Sequence, residues 1–376
     1  MGDAYTPGLT VTGNAVVRKL RRLPLPGEVL AKVGQKVTAS DVVARTELPG
    51  RVHLLNFSNL LGVLPDEIAG KLRVEPGAAI REGDILAESK SLFGLLTSRV
   101  KAPITGTFES VSEVTGQAVM REPPTPVEVT AYMDGQVVEE IPTEGAIIET
   151  RGALIQGIFG LSGEVYAPIV MVSDDPGQVL SPGDLDEATC RGKVVVGGSL
   201  ATVEVMRRAI DIGVAAVVVG GFAYQDIREL LGYDVGVAVT GTENLGTTLV
   251  VTEGFGQIAM AGATFALLRE HEGEHASVNG ATQIRAGVIR PEVVIPNPPG
   301  REAAARADQP GAGGLEIGAK VRCIRAPHFG RIGEVTQLPT DLMEMPSETR
   351  VRVLEVTFGQ RDAAIIPRAN VEVIER

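Results

Sequence analysis

The chain has 376 residues, a length that predicts about two to four domains rather than a single core. Its 4% aromatic content, with no tryptophan, argues against binding through broad base-stacking surfaces. The net charge of −12 is unevenly distributed, with 15 basic and 19 acidic residues in 1–150, 11 and 19 in 151–314, and 9 and 9 in 315–376. Because the acidic middle repels polyanions, any nucleic-acid contact is expected in the neutral C-terminal region.

Cysteines and apolar runs define the expected compartment. Cys190 and Cys323 are far apart in the sequence, so we expect neither a disulfide framework nor a thiolate metal cluster. The N-terminus has no apolar stretch of signal-peptide length, and the longest apolar run, Val214–Val219, is too short to cross a bilayer. The sequence therefore predicts a cytoplasmic protein without a membrane partner.

A sequence pattern occurs twice near the N-terminus, in residues 22–48 and again in residues 72–88. Each copy has a glycine that predicts a turn, an apolar residue three positions later, and an acidic residue that opens an apolar strand. The matching positions are Gly34 and Gly77, Val37 and Ile80, and Asp41–Ala44 and Asp84–Ala87. The repeat predicts two similar β-units that bury one core together.

This pattern, followed by Lys101–Phe108, resembles the barrel-sandwich hybrid fold of lipoyl-like and RnfC-type proteins. The resemblance implies an N-terminal barrel-sandwich hybrid region over residues 1–122. Carrier members have a lysine on a hairpin tip ahead of the proline, whereas the stretch Ser91–Leu96 ahead of Pro103 has none. We therefore expect a structural or docking domain with no cofactor. Because the chain has no cysteine cluster, the iron–sulfur role of RnfC-type proteins is not expected.

The middle of the chain changes from a β pattern to an alternating one. Residues 123–185 follow a stiff proline connection and predict a β-rich extension, with β structure to about residue 172. Residues 186–295 alternate apolar strands with helices, which predicts a parallel, helix-covered α/β sheet. The predicted strands are Lys193–Val196, Ala215–Val219, Val235–Val239 and Thr247–Val251, and the predicted helices are Val203–Ile212, Tyr224–Leu231 and Ile258–Glu272.

Glycines follow the four predicted strands of this domain. Ligands of open α/β sheets bind beyond the carboxyl ends of strands, so we expect these positions to share one edge and to form a small-anion site. The alternative is that tight strand-to-helix turns simply need glycine. No G-x-G-x-x-G or P-loop is present, which disfavours a dinucleotide oxidoreductase or an NTPase. The candidate ligand residues are Gly197, Gly198, Gly220, Gly221, Thr240, Gly241, Thr252, Glu253, Gly254, Arg285 and Arg290.

The letters H-E-G-E-H, from His271 to His275, match the zinc motif H-E-x-x-H. That motif needs an unbroken helix through both histidines and a third ligand beyond them. Gly273 predicts that the helix ends between the histidines, so the charged end of a helix is the favoured interpretation. We expect no metal site and identify no catalytic residue.

Residues 296–314, rich in proline, glycine and alanine, predict a flexible linker before a last domain over residues 315–376. That domain contains G-x-x-V-R at Gly318–Arg322, F-G-x-x-G-x-V at Phe329–Val335, and a closing strand at Asn370–Ile374. These segments resemble the KOW motif of SH3-like barrels in ribosomal proteins and NusG-type factors. The resemblance implies docking to a protein partner or a ribonucleoprotein assembly. The candidate docking or RNA-binding residues are Arg322, Arg325, His328, Phe329, Gly330, Arg331, Arg350 and Arg352.

The sequence thus predicts a multidomain β plus α/β protein, with an N-terminal barrel-sandwich hybrid, a central parallel α/β sheet and a C-terminal KOW-type barrel. The expected function is a non-enzymatic intracellular adaptor or scaffold with a tethered docking barrel and a small-anion site. Two alternatives stay open. One is an RNA-binding factor of transcription or translation, and the other is an enzyme whose site lies at the glycine-rich strand ends.

Overall fold

The computed structural model describes residues 9–91, 96–233, 240–283, 289–298, 315–325, 327–339, 341–345, 350–359 and 362–373. The fold is mostly β with few helices, and it includes a large mixed sheet and a curled half-barrel sheet. Arg285, the predicted strand Val235–Val239 and most of the predicted linker 296–314 lie outside the described residues.

The secondary-structure elements of the first half are mainly strands. They are β1 (Val11–Arg22), β2 (Glu28–Val29), β3 (Lys36–Val37), β4 (Val42–Leu48), β5 (Val52–Asn56), α1 (Phe57–Leu61), β6 (Ala78–Ile80), β7 (Ile85–Ser91), β8 (Leu96–Lys101), β9 (Gly106–Val111), β10 (Gln117–Arg121), β11 (Thr125–Thr130), β12 (Gly135–Ile141), β13 (Gly145–Gln156), β14 (Phe159–Leu161) and β15 (Glu164–Met171).

The second half contains the longer helices. Its elements are α2 (Glu187–Cys190), β16 (Val194–Val196), α3 (Val203–Ile212), β17 (Ala216–Phe222), α4 (Tyr224–Leu231), β18 (Thr248–Phe255), α5 (Gly262–Glu270), β19 (His275–Asn279), β20 (Glu292–Pro296), β21 (Lys320–Cys323), β22 (Ile332–Gln337), β23 (Leu342–Glu344), β24 (Arg350–Thr357), β25 (Ala363–Pro367) and β26 (Val371–Val373).

One eleven-stranded sheet, called here the large sheet, joins both halves. Its order is β14-β18-β17-β16-β15-β19-β20-β13-β12-β3, and β1 pairs with β13. Strands β15 to β18 run parallel, whereas β14, β19 and β20 are antiparallel to their neighbours. Three of the four predicted strands, observed as β16, β17 and β18, run parallel, and the antiparallel neighbours make the sheet mixed.

The helices begin and end largely where local signals predict. Gly213 ends α3 and Gly232 ends α4, both in the left-handed conformation that favours glycine, with φ of 75° and 76°. Helix α5 begins at Gly262 rather than at Ile258. The reason is that Ile258 N–H donates to Ser199 O and Met260 N–H donates to Pro176 O, so this segment binds neighbouring loops instead of coiling.

The two repeat units have the same local structure. Gly34 and Gly77 both adopt left-handed turns, with φ of 85° and 87°. In the first unit the Asp41 carboxylate accepts the Thr38 N–H at 2.7 Å, and in the second Asp84 accepts the Arg81 N–H, also at 2.7 Å. The repeat therefore specifies the same turn twice.

The units nevertheless bury two cores, and the prediction that they share one is wrong. Val37 and Val43 of the first unit pack with residues of β1, β12, β13 and the loop before β12. Ile80 and Leu86 of the second pack with Phe57 of α1 and with residues of β8, β9 and β10. The two units are therefore covered by different strands, β1, β12 and β13 for the first and β8, β9 and β10 for the second.

The second core belongs to a segment inserted between β4 and β11, called here the inserted module (residues 52–121). It contains the sheet β5-β10-β9-β6 and the pair β7-β8. Its two connections touch, because a Cβ at Gly50 would lie 1.8 Å from the Glu122 carbonyl oxygen and the Glu122 N–H donates to Arg51 O at 3.0 Å. The large sheet takes strands from both sides of residue 122, where the sequence suggested a domain boundary.

The C-terminal module (described residues between 315 and 373) forms the sheet β23-β24-β22-β21-β26, with β25 also pairing with β24. Its apolar core is separate from those of the large sheet and includes Val321, Cys323, Val335, Leu354 and Val356. The KOW-type barrel assignment remains a prediction from the motif.

Candidate functional site

Residues from the two predicted sites pair with each other. Arg322 of β21 lies between two carboxylates, with Nη2 2.5 Å from Glu253 Oε2 and Nη1 2.8 Å from Glu372 Oε1. The second oxygen of Glu372 lies 3.4 Å from Arg290 Nη1. Glu253 and Arg290 were predicted to bind an anion, and Arg322 was predicted to face a partner. Together with Glu372 they form one internal ion network.

This network is buried, and local structure positions its members. The side chains of Arg322, Glu253 and Glu372 are 5%, 7% and 2% exposed. Glu253 sits near the carboxyl end of β18 and also accepts the Ala261 N–H at the start of α5, at 3.0 Å. Arg322 and Glu372 are directly paired in the β21–β26 ladder. Removing one partner of such a buried network leaves an uncompensated charge, a loss of about 3–5 kcal/mol.

Aromatic side chains pack beside this network, where the C-terminal module meets the large sheet. The Phe255 ring lies 5.2 Å from Phe159, 5.6 Å from Tyr224 and 6.0 Å from Phe329, measured between centroids. A Cβ at Gly330 would lie 2.5 Å from the Phe255 ring, so glycine permits this approach. We call this contact between the C-terminal module and the large sheet the seat, formed by Glu253, Phe255, Arg290, Arg322, Phe329 and Glu372.

Glycines near the carboxyl ends of the parallel strands are closely approached by other parts of the chain, mostly by its backbone. A Cβ at Gly198 would lie 2.1 Å from Gln178 O, and one at Gly221 would lie 1.9 Å from Gly256 O. A Cβ at Gly197 would meet the Leu180 side chain. A Cβ at Gly220 would meet the Ile258 carbonyl, and one at Gly254 would meet the Gly330 carbonyl. These glycines therefore permit close packing, a structural role that differs from the tight turns considered from the sequence.

The cavity next to the seat is small. It is lined by Ile158, Thr282, Gln283, Ile289, Arg290, Ile324 and Phe329, and its volume is about 10 Å³. That volume is close to the space one water molecule needs. A phosphate or nucleotide does not fit there.

Thr240 and Gly241 lie away from the other glycines, so the expectation that all four positions share an edge is wrong. The Thr240 hydroxyl donates to Gly160 O at 2.8 Å, beside the strand β14 that pairs with the first half of β18. Near it, the backbone N–H groups of Gly241 and Ser162 both donate to the Glu243 carboxylate, at 2.7 and 3.1 Å. This cradle for an anion already holds a carboxylate of the chain.

Thr252 is also engaged internally. It is 3% exposed, and its hydroxyl donates to Val219 O at 3.4 Å in the neighbouring strand β17. It therefore presents no hydroxyl to a ligand at the strand end.

The predicted docking residues divide into two groups. Arg322 and Phe329 belong to the seat and Gly330 lies against its Phe255 ring, whereas Arg325, Arg350 and Arg352 are exposed. Between them, Arg331 lies over the Phe358 ring at 3.9 Å and pairs with Asp362, and His328 stacks on Phe358 at 5.3 Å. The side chain of Arg331 is itself 39% exposed.

A second polar cluster was not predicted from the sequence. We call it the Tyr132 cluster, formed by Lys19, Arg21, Tyr132, Glu164 and Glu292. The Glu292 carboxylate lies 2.6 Å from Lys19 Nζ and 3.3 Å from the Tyr132 hydroxyl. Arg21 forms two hydrogen bonds of 2.7 Å with Glu164. Burial, together with the nearby Glu292 and Glu164 carboxylates, raises the pKa of Tyr132 well above its ordinary value. In the sequence, the local sign of this cluster is that Lys19 and Arg21 are two residues apart and therefore share one face of β1.

The histidine motif and the cysteines show no reactive arrangement. Helix α5 ends at Glu270, so it stops before His271 and earlier than predicted. His271 pairs with Glu274 at 2.7 Å, and His275 opens β19, which confirms that the second histidine lies off the helix. Burial raises the pKa of the Cys323 thiol to about 12, which keeps it protonated at neutral pH. Within the described ranges, no three side chains of the metal-binding types are grouped as a site.

No protein-family model matches this sequence, and no significantly similar curated protein was found. Among the helices of the described residues, none combines the length and apolar character needed to span a membrane.

Proposed function

We propose that this protein is a non-enzymatic scaffold that docks a partner protein through the outward face of its C-terminal module. The observation that supports this best is the order of strands in that module. Strands β21 and β26, at one end of the order, contact the large sheet through the buried seat. The β23–β24 pair, at the other end, exposes side chains of the kind found in protein interfaces.

The β23–β24 pair combines apolar and cationic groups. Leu342 is 49% exposed and lies directly across the ladder from Arg352, whereas Met343, 37% exposed, projects from the other face of β23. Arg350 pairs in the ladder with Glu344 and is also exposed. Apolar side chains rimmed by arginine are typical of protein docking surfaces.

A protein partner is favoured over RNA because Phe329 and Phe358, the aromatic rings of the C-terminal module, are both engaged. Single-stranded RNA is commonly held by bases stacking on accessible rings. Here Phe329 packs on Phe255 in the seat, and Phe358 lies between His328 and Arg331. The module also has equal numbers of basic and acidic residues, which gives little general attraction for phosphate.

An enzyme at the strand ends receives less support from the geometry. The glycines there pack against backbone, and the adjoining cavity holds about one water molecule. The cations expected to hold an anion include Arg290, which instead pairs with Glu372.

A pull-down from the native cell tests the proposal. Full-length protein should retain a specific partner that Leu342→Glu releases, because the new charge interrupts the apolar contact. Leu54→Glu is the matched control, since Leu54 is 58% exposed on the inserted module and should leave capture unchanged. Equal capture by both variants would contradict docking at β23–β24. Loss of capture after ribonuclease treatment would instead identify RNA as the bridge.

A further inference from the structure

Three consecutive residues at the start of β20 connect the two polar clusters. Arg290 reaches the C-terminal module, where it lies 3.4 Å from Glu372. Glu292 reaches the other half of the protein, where it lies 2.6 Å from Lys19 and 3.3 Å from the Tyr132 hydroxyl. The seat and the Tyr132 cluster are therefore only two residues apart along the backbone.

The residue between them is held on several sides. The Pro291 carbonyl accepts the Gly157 N–H at 2.8 Å. A Cβ at Gly157 would lie 3.1 Å from the Pro291 ring, and one at Gly160 would lie 2.8 Å from it. Because the proline ring also fixes φ, the backbone at Pro291 has little freedom to adjust when Arg290 or Glu292 moves.

The strand that follows is equally constrained. Residues Glu292 to Ile295 of β20 are all buried, and the strand pairs with β13 on one side and β19 on the other. The first of these neighbours, β13, is also the partner of β1, which bears Lys19. A movement of Arg290 would be transmitted along a stiff backbone to Glu292 and β1.

We infer that the step Arg290–Pro291–Glu292 couples the seat to the Tyr132 cluster, so that loosening the C-terminal module loosens β1. The charges involved are poorly exposed, at 17% for Arg290, 2% for Glu372 and 7% for Glu292, so neither end can replace a lost partner with bulk water. Linkage requires the effect to be reciprocal: weakening the contact between Glu292 and Lys19 should loosen β21 and β26. This inference does not depend on the proposed docking function.

Hydrogen exchange in the full-length protein tests the coupling. Glu372→Gln should raise amide exchange in residues 11–22 by roughly fivefold or more, the lower range of typical coupling between sites. Asp362→Asn is the matched control, because Asp362 is an exposed acid of the same module, paired with Arg331. This control should leave exchange in residues 11–22 unchanged.

The route through Arg290 is tested in a double variant. In an Arg290→Ala background, Glu372→Gln should no longer change exchange in residues 11–22. Unchanged exchange in Glu372→Gln alone, or an equal increase with Arg290→Ala, would overturn the inference. If Glu372→Gln unfolds the C-terminal module, Glu372→Asp is used in its place, because it keeps the charge but shortens the side chain. The same increase in exchange, and the same loss of that increase with Arg290→Ala, are then expected.

Discussion

The inserted module and the C-terminal module are attached to the large sheet in different ways. The inserted module has its own core and two chain connections that lie side by side at Gly50 and Glu122. The contact between His53 and Glu122 beside these connections is 36% exposed on both sides. The C-terminal module instead contacts the large sheet through the buried ion pairs of the seat. Two adjacent connections fix the inserted module covalently, whereas noncovalent contacts hold the C-terminal module against the sheet.

Excising the inserted module should give the largest effect and tests whether it is an independent unit. A Gly-Ser-Gly turn replacing residues 51–122 joins strands that already pair, since Leu48 lies opposite Thr125 in the β4–β11 ladder. We expect the shortened protein to lose one of two thermal transitions by calorimetry and to keep the other. The isolated fragment 51–122 should show the missing transition. A shortened chain with no cooperative unfolding would show that the inserted module is not an independent unit.

Removing the central cation of the seat should have the next largest effect. Arg322→Met leaves Glu253 and Glu372 buried without their partner, and we expect urea unfolding to show a loss of about 3–5 kcal/mol. Arg18→Met is the control, because the Arg18 side chain is 68% exposed in its pair with Glu149 and such pairs contribute about 1 kcal/mol or less.

The seat prediction has an internal check. Adding Glu253→Gln and Glu372→Gln to Arg322→Met removes the stranded charges and should restore part of the stability. Equal losses for Arg322→Met and Arg18→Met would show that the buried network does not hold the C-terminal module.

The two repeat aspartates give the smallest and most discriminating prediction. Asp41→Ala and Asp84→Ala each remove one carboxylate that accepts a backbone N–H at 2.7 Å, a loss of about 1 kcal/mol. Asp84→Ala should lower only the calorimetric transition of the inserted module, and Asp41→Ala only the other. If both substitutions lower the same transition, the two cores do not unfold separately.

Local features of the fold were predictable because neighbouring residues determine them. The repeat turns at Gly34 and Gly77 and the helix ends at Gly213 and Gly232 follow from glycine alone. Core membership was not predictable, since the same repeat pattern is compatible with either set of covering strands. The start of α5 was missed because its preceding residues bind distant loops.

The sequence identified several residues of the site but not the roles that they have in the structure. Glu253, Arg290 and Arg322 were all selected from the sequence, and the structure brings them together. Their pairing spans 69 residues between Glu253 and Arg322, so no local period could reveal that each is the other's counter-ion. Tyr132 was missed because its significance depends on Glu292, which is 160 residues away.

The carboxylate of Glu243 competes with free anions for two backbone N–H groups. It occupies the backbone N–H groups of Ser162 and Gly241, and it is tethered only two residues from Gly241. A short tether holds its group at an effective concentration on the order of millimolar or higher. A free phosphate or carboxylate metabolite at micromolar concentration would therefore lose this cradle to Glu243, and the chain would be insensitive there to ordinary changes in metabolite level.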